Sequence, residues 1–310
     1  MTDDPTTPVV GSGPGDERWA RAALSRCTPP GEPRIAASLR AHGAVATLRR
    51  LGAVASGLLA PQEVDADLAR LAELGGRLLV PGDAEWPVRL DELGRIGFVA
   101  AREIAQPCAL WVRGGQDLAA LTDRSVAVVG MRASSPYGDL AAAELASGLA
   151  GRGWTVISGG AFGIDAAAHR GALAVGGLTI AVLAGGPDQL YPKANEQLLE
   201  RILGAGVLVS ELPPGYGSRR ERFLSRNRLV AALTRGTVVV EADRRSGALN
   251  TAAHARALGR PVCAVPGRIT SVESRGCHRL LRDEGTRLVT SVDELLEEVG
   301  PIGETLAFDG

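Results

Sequence analysis

Lysine is almost missing from this chain. The sequence holds 34 Lys plus Arg residues, and Lys193 is the one lysine among them, set between Pro192 and Ala194. The phosphate-binding loop G-x-x-x-x-G-K-[ST] needs a lysine after its second glycine, so that loop and the ATPases built on it are excluded. Cysteine is scarce too: Cys27, Cys108, Cys263 and Cys277 stand far apart and form no CxxC pair. That spacing argues against a metal site or a disulfide framework and leaves the thiols as small apolar fillers in a reducing compartment. No metal or cofactor is expected. The chain has no run of about eighteen apolar residues, so no membrane-spanning helix is expected. Nor does a basic stretch followed by an apolar one open the sequence, which predicts no secretory signal and a cytoplasmic protein. A net charge of -1 excludes a polycation, so any nucleic-acid contact has to be local.

Glycine, in contrast, is plentiful at 40 of 310 residues, alongside many Ala and Val. The length predicts two domains with a substantial core. Residues 1–16 are mostly Asp, Thr, Pro, Gly and Ser and read as a disordered tail. Over 17–76, Ile35, Leu39, Leu48, Leu51 and Leu58 recur at roughly helical spacing, with breaks at Pro29-Pro30-Gly31 and Pro61, which predicts a small helical domain. Residues 77–122 carry extended pieces at 77–81 and 109–112 and read as a connector. From 123 to 300, apolar strands at 126–129, 155–157, 179–183, 206–209, 237–240 and 262–265 alternate with helical stretches. Among those stretches is one at 226–233. Continuous apolar strands alternating with helices mean an α/β fold: a doubly wound, mostly parallel, Rossmann-like sheet. Residues 301–310 read as a second tail.

Ligands of such sheets bind beyond the carboxyl ends of the strands. After the first strand comes Gly130-Met131-Arg132. A guanidinium fixed there fits a phosphate bidentately, although position alone also allows a solvated surface arginine. After the second strand comes Ser158-Gly159-Gly160, followed at once by a helix start. Small residues before a helix N-terminus make a phosphate cradle, or simply a tight turn. Asp165 reads better as a helix-start residue than as a catalyst. Ser246 and Gly247 follow the fifth strand. The segment 218–228, SRRERFLSRNR, sets Arg219, Arg220, Arg222, Arg226 and Arg228 around one aromatic, Phe223, against the single acid Glu221. Charges that track phosphates around a ring that stacks a base are how single strands are held without sequence reading. The bland alternative is a solvated basic loop with Phe223 packed inward. His169, His254 and His278 have no nucleophile beside them in a recognisable pattern and read as core or surface residues.

Taken together, Gly130-Met131-Arg132, SGGAFGIDAAAH at 158–169, Tyr191-Pro192, RFLSRNR at 222–228, SGALNTAAHA at 246–255 and VPG at 265–267 resemble the DNA-processing protein A family (DprA, also called Smf). RLLVPGDAEWPVRLDEL at 77–93 is similar to that family's connector, and the helical residues before it to its SAM-like domain. The resemblance implies an extended Rossmann fold, no catalysis, single-stranded DNA binding, a homodimer through the Rossmann-like domain, and loading of the recombinase RecA in natural transformation and homologous recombination. It implies that Arg132 grips phosphate, that Ser158, Gly159 and Gly160 line the same pocket, and that Phe223 stacks on a base with Arg220 nearby. Arg222, Arg226, Arg228, Ser246 and Gly247 complete the expected DNA-binding set. Two positions depart from the family: Met131 replaces its usual Ser or Thr, and Gly276-Cys277-His278 replaces G-[ST]-N.

Two other classes compete. A Rossmann-like nucleotide phosphoribohydrolase of the lysine-decarboxylase-like kind needs a P-G-G-x-G-T-x-x-E loop, and the segment 241–251 lacks that glycine run. A scaffold that recruits recombinase without holding DNA leaves the arginine segment unexplained.

Overall fold

The computed structural model describes residues 13–95 and 105–300, together with the backbone at 98–99 and 102–103. Most of the N-terminal tail (1–12) and the C-terminal tail at 301–310 lie outside the described residues. Three helices come first: α1 (Glu17–Cys27), α2 (Pro33–Leu51) and α3 (Pro61–Glu73). Asp16 caps α1 by accepting from the Trp19 amide at 2.8 Å, which satisfies a backbone donor that the helix start leaves open. Gly43 breaks the helical dihedrals of α2 with φ +76°. Trp19, Leu24, Leu48 and Leu71 form this unit's core together with Leu78 and Trp111 of the neighbouring strands. Leu51 and Leu58, expected inside on spacing, are exposed.

The rest of the described chain is β1 (Gly76–Leu79), β2 (Phe98–Val99), β3 (Arg102–Glu103), β4 (Leu110–Arg113), α4 (Leu118–Asp123), β5 (Ser125–Val129), α5 (Pro136–Gly151), β6 (Thr155–Ser158), α6 (Ile164–Ala174), β7 (Thr179–Val182), α7 (Glu196–Ala205), β8 (Val207–Ser210), α8 (Arg220–Ala232), β9 (Gly236–Val239), α9 (Ala248–Ala257), β10 (Val262–Ala264), α10 (Arg275–Arg282), β11 (Thr286–Leu288) and α11 (Val292–Val299). Nine strands form one sheet in the order β1-β4-β8-β7-β6-β5-β9-β10-β11. The seven strands from β8 to β11 pair in parallel, and β4 and β1 extend that sheet antiparallel at the β8 edge. The connector is therefore an edge of the sheet rather than a bridge to it. Alternate strand residues face opposite sides, as the two-residue period requires. Ala127 and Val129 pack toward the layer of α8, α9 and α10, whereas Val126 and Val128 pack toward α5, α6 and α11. With both faces covered, the strands read as unbroken apolar runs.

The chain runs outward from β5 through β6, β7 and β8, then crosses back through α8 to pair β9 on the other side of β5. The carboxyl edge between β5 and β9 is thus a topological switch point, where the two following loops part and leave a crevice. No helix among the described residues is long and apolar enough to cross a membrane.

Candidate nucleic-acid interface

A cleft of about 740 Å³ opens at this switch point. It is walled by the loops after β5, β6 and β9 and by the first half of α8. The basic segment at 218–228 is thus helical from Arg220, six residues before the start expected from its apolar pattern. That start carries no side-chain cap, so no Ser, Thr, Asp or Asn announces it.

Four arginines (Arg132, Arg220, Arg226, Arg245) face two aspartates (Asp165, Asp243) around the cleft. A chain that is net negative therefore carries a locally positive crevice, and concave low-dielectric walls focus such a field. Arg132 is exposed, and its guanidinium carbon lies 4.3 Å from the Phe223 ring centroid. Cation and ring form a stacked pair. Tyr191 also adjoins Phe223, with centroids 6.0 Å apart and planes tilted by 55°. Arg220 is exposed at the first residue of α8, and Ser246 and Gly247 border the cleft at the start of α9.

The loop after β6 has a different part from the one its glycines suggest. Its amides at Gly159 and Ala161 donate to the Asp165 carboxylate at 3.2 and 3.4 Å. Burial pushes the Asp165 carboxyl up, opposed by the Arg226 charge and these amides. Gly159 is glycine because the Arg226 guanidinium lies where a Cβ would be. Gly160 is buried with φ +67°, a conformation that favours glycine. The Ser158 hydroxyl is fully buried and donates to the Val128 carbonyl at 2.7 Å. Ser158 and Gly160 thus shape the wall from behind, while Gly159 borders the cleft.

The α5 start is filled in the same way. Glu241, at the end of β9, accepts from the Ser135 amide at 2.9 Å and from its hydroxyl at 2.6 Å. Met131 donates its own amide to the Glu241 carbonyl at 2.9 Å. The α5 start is thus taken by Glu241, and the amides of the loop ahead of α6 are taken by Asp165, while the exposed guanidinium groups of the cleft are suited to bind an anion.

The remaining arginines of α8 divide by depth. Arg226 lines the cleft floor at 6 % exposure and donates to the Val182 carbonyl. Burial lowers its pKa to about 10, with Asp165 opposing the shift, and its Nε has no partner among the described residues. Arg228 is buried away from the cleft. It donates to Glu211 at 2.7 Å, to the Ala105 carbonyl at 2.8 Å and to the Ser225 carbonyl at 2.9 Å. The Gly31 amide donates to the same Glu211 carboxylate at 3.0 Å, so this pair ties the helical unit to the sheet. Arg222 also turns away, lying 5.2 Å from the Tyr216 ring centroid. Arg26 of α1 sits 5.7 Å from that ring, and the Tyr216 hydroxyl donates to the Arg26 carbonyl at 2.8 Å.

Of the residues predicted from sequence, the fold brings Arg132, Gly159, Arg220, Phe223, Arg226, Ser246 and Gly247 to one cleft. It places Ser158, Gly160, Arg222 and Arg228 behind or beside it. Tyr191 and Arg245 were missed as wall residues. Arg245 adjoins Ser246, so a reading of the whole post-strand loop would have included it. Nothing in the local sequence tells that Tyr191 meets Phe223.

Among known proteins, the family model described as DNA recombination-mediator protein A matches residues 77–300. A DNA processing protein DprA from Mycobacterium tuberculosis is 50 % identical over 299 residues, covering 92 % of this chain and 76 % of that one. The crystal structure of DNA processing protein A from Streptococcus pneumoniae superposes with a TM-score of 0.73 at 30 % identity, covering 91 % of this chain and 98 % of that one. The Helicobacter pylori DNA processing protein A, described for its single-stranded DNA binding mode, gives a TM-score of 0.61 at 27 % identity, over 72 % of this chain and 94 % of that one.

Proposed function

Because this chain belongs to the DNA recombination-mediator protein A family, we propose that it binds single-stranded DNA in the cleft at the β5/β9 switch and delivers it to the recombinase RecA. The setting is homologous recombination and natural transformation in the cytoplasm, and no reaction is catalysed. The observation that carries this reading is the pairing of exposed Arg132 with Phe223 on the wall of a crevice that four arginines make positive. Guanidinium groups take phosphates, a ring takes a base, and neither reads sequence. The two carboxylates nearest the helix starts, Asp165 and Glu241, are engaged by backbone amides, which suits a holding site better than acid–base chemistry. The DNA-binding set is Arg132, Arg220, Phe223, Ser246 and Gly247, with Arg226 shaping the floor.

A gel shift with oligothymidylate tests it. Arg132→Ala should cost at least tenfold in affinity, since a charge-assisted hydrogen bond is worth about 1.5–3 kcal/mol. Its log–log salt slope should become shallower by roughly 0.7 for each phosphate no longer neutralised. Parent-like binding by Arg132→Ala would sink the assignment.

The functional unit is a homodimer formed through the Rossmann-like domain. Leu288, exposed on edge strand β11, is consistent with this, because a sheet edge with an exposed apolar side chain favours association. Light scattering at tens of micromolar protein should give twice the chain mass, and a monomer there would count against it.

A further inference from the structure

Tyr191 is half exposed, lines the cleft, and its hydroxyl makes no hydrogen bond among the described residues. At that exposure the hydroxyl is open to water, and half of the residue stays accessible at the cleft. Its ring is paired with that of Phe223 in a tilted arrangement. Its backbone is held firmly nonetheless. Pro192 is buried, and the short turn Lys193–Asn195 ends in a buried asparagine. The Asn195 side-chain amide donates to the carbonyls of Gly160 and Ala161 at 3.1 and 3.0 Å. That pins the Tyr191 turn to the loop after β6. Lys193, the one nearby cation on this turn, is paired with Glu196 at 2.7 Å, so the turn offers the cleft a ring rather than a charge.

We propose that Tyr191 is a second base-stacking platform, so that the cleft holds two successive bases of one strand, one over Phe223 and the next over Tyr191. The proposal rests on the single-strand reading above. A base sandwiched between two rings would need them parallel and about 7–8 Å apart, twice an ordinary carbon contact distance. Centroids at 6.0 Å with a 55° tilt offer no such slot, so the rings work as neighbouring floors. Both are held by packed backbone, one on α8 and one on the Asn195 turn, so little ordering is needed when bases settle on them. Arg132, now over the Phe223 ring, and Arg220, on the same cleft, supply guanidinium groups for the phosphates of those two nucleotides, Arg132 once a base takes its place on the ring. Stacking tolerates any base, so Tyr191 adds affinity without sequence preference.

The test is fluorescence anisotropy of the full chain with a labelled oligothymidylate at fixed salt, with melting temperatures taken in parallel. The variants are Tyr191→Leu, Tyr191→Phe, Phe223→Leu and Arg132→Ala. Tyr191→Leu should weaken binding about 5- to 150-fold, the range for removal of one base stack. Its salt slope should equal the parent's, because the same phosphates stay neutralised. Tyr191→Phe keeps the ring and should bind within about twofold of the parent. If Tyr191→Leu binds like the parent while Phe223→Leu and Arg132→Ala weaken, Tyr191 is no platform and the cleft assignment stands. If Tyr191→Phe weakens binding as much as Tyr191→Leu, or the slope flattens, the residue acts through its hydroxyl or by positioning the arginines, and the platform is refuted. If none of the variants changes affinity, the cleft itself is misassigned and both ideas fall.

Discussion

Arg132 and Phe223 share one place in the cleft. The guanidinium lies 4.3 Å from the ring centroid, over a face that a base would use. A planar cation on that face stands where a base would stack, so a base on that face displaces the arginine toward the strand's phosphates. The two residues should therefore act as a coupled pair. Phe223→Ala alone should cost about 5- to 150-fold in single-strand affinity, and Arg132→Ala at least tenfold. The double variant should weaken binding by less than the product of the two, because touching residues couple by about 0.5–3 kcal/mol. Four dissociation constants at one salt concentration measure this, and strictly multiplicative effects would show that the pair acts independently. The stack was not legible in the sequence, since 91 positions separate the two residues. Their types and their neighbourhood were legible, because each lies where a strand end or a basic run predicts a ligand.

At the scale of one element, α8 carries two functions along its length. Its first turns present Arg220 and Phe223 to the cleft, and its later turns are buried between the sheet and the connector. Arg228 belongs to the second half. Replacing it with methionine should leave the Glu211 carboxylate, 6 % exposed, without its guanidinium. Breaking a buried pair from one side costs about 3–5 kcal/mol. A denaturant melt of Arg228→Met should show that destabilisation, while single-strand affinity of the folded protein stays within about twofold. Unchanged stability with weakened binding would return Arg228 to the DNA-binding set. Nothing in RFLSRNR marks which arginine turns inward: the helix buries one face, and its register is set by what it packs on. The missed helix start has a plainer cause, since Arg219 supplies no capping oxygen and the first turn has no apolar period.

For the molecule as a whole, two buried histidines set a dependence on acid. The Thr179 hydroxyl donates to the Val156 carbonyl and so can only accept from His169 Nδ1, at 2.7 Å. Nδ1 of His169 therefore carries a proton, and its buried Nε2 has no partner among the described residues. Burial depresses its pKa to about 3, and that of His254 to about 4. Above the unfolded value of about 6.5, neither state binds a proton, and stability does not depend on these groups. Below it the unfolded chain takes protons first, so stability falls with pH until the folded values are passed. At about 1.4 kcal/mol per pH unit, each histidine should cost about 2 kcal/mol by pH 5. Urea melts at pH 7.5 and 5.0 should show the destabilisation, and His254→Gln should remove its share. Equal pH sensitivity in parent and variant would refute the role of His254.

The order of strands and helices after residue 123 was legible because a parallel sheet buried on both faces writes each strand as an apolar run and each crossover as a helix. The same pattern located the edge at which the cleft opens, since post-strand loops in such a sheet gather at one side. The thiols were legible as fillers: Cys108, Cys263 and Cys277 are buried and free. What only the tertiary structure decided was the direction of each side chain and who reaches it. Ser158 and Arg228 turn inward, Arg222 turns to Tyr216, Glu241 fills the α5 start, and Asp165 takes the loop amides ahead of α6. The connector joins the sheet as β1 and β4 because unpaired backbone at the β8 edge is satisfied by strands from elsewhere in the chain. These outcomes depend on residues that meet across tens to hundreds of positions, and local pattern carries no record of such pairs. Tyr191 beside Phe223 is the sharpest case, a shared surface made by two segments that meet only once the sheet has formed.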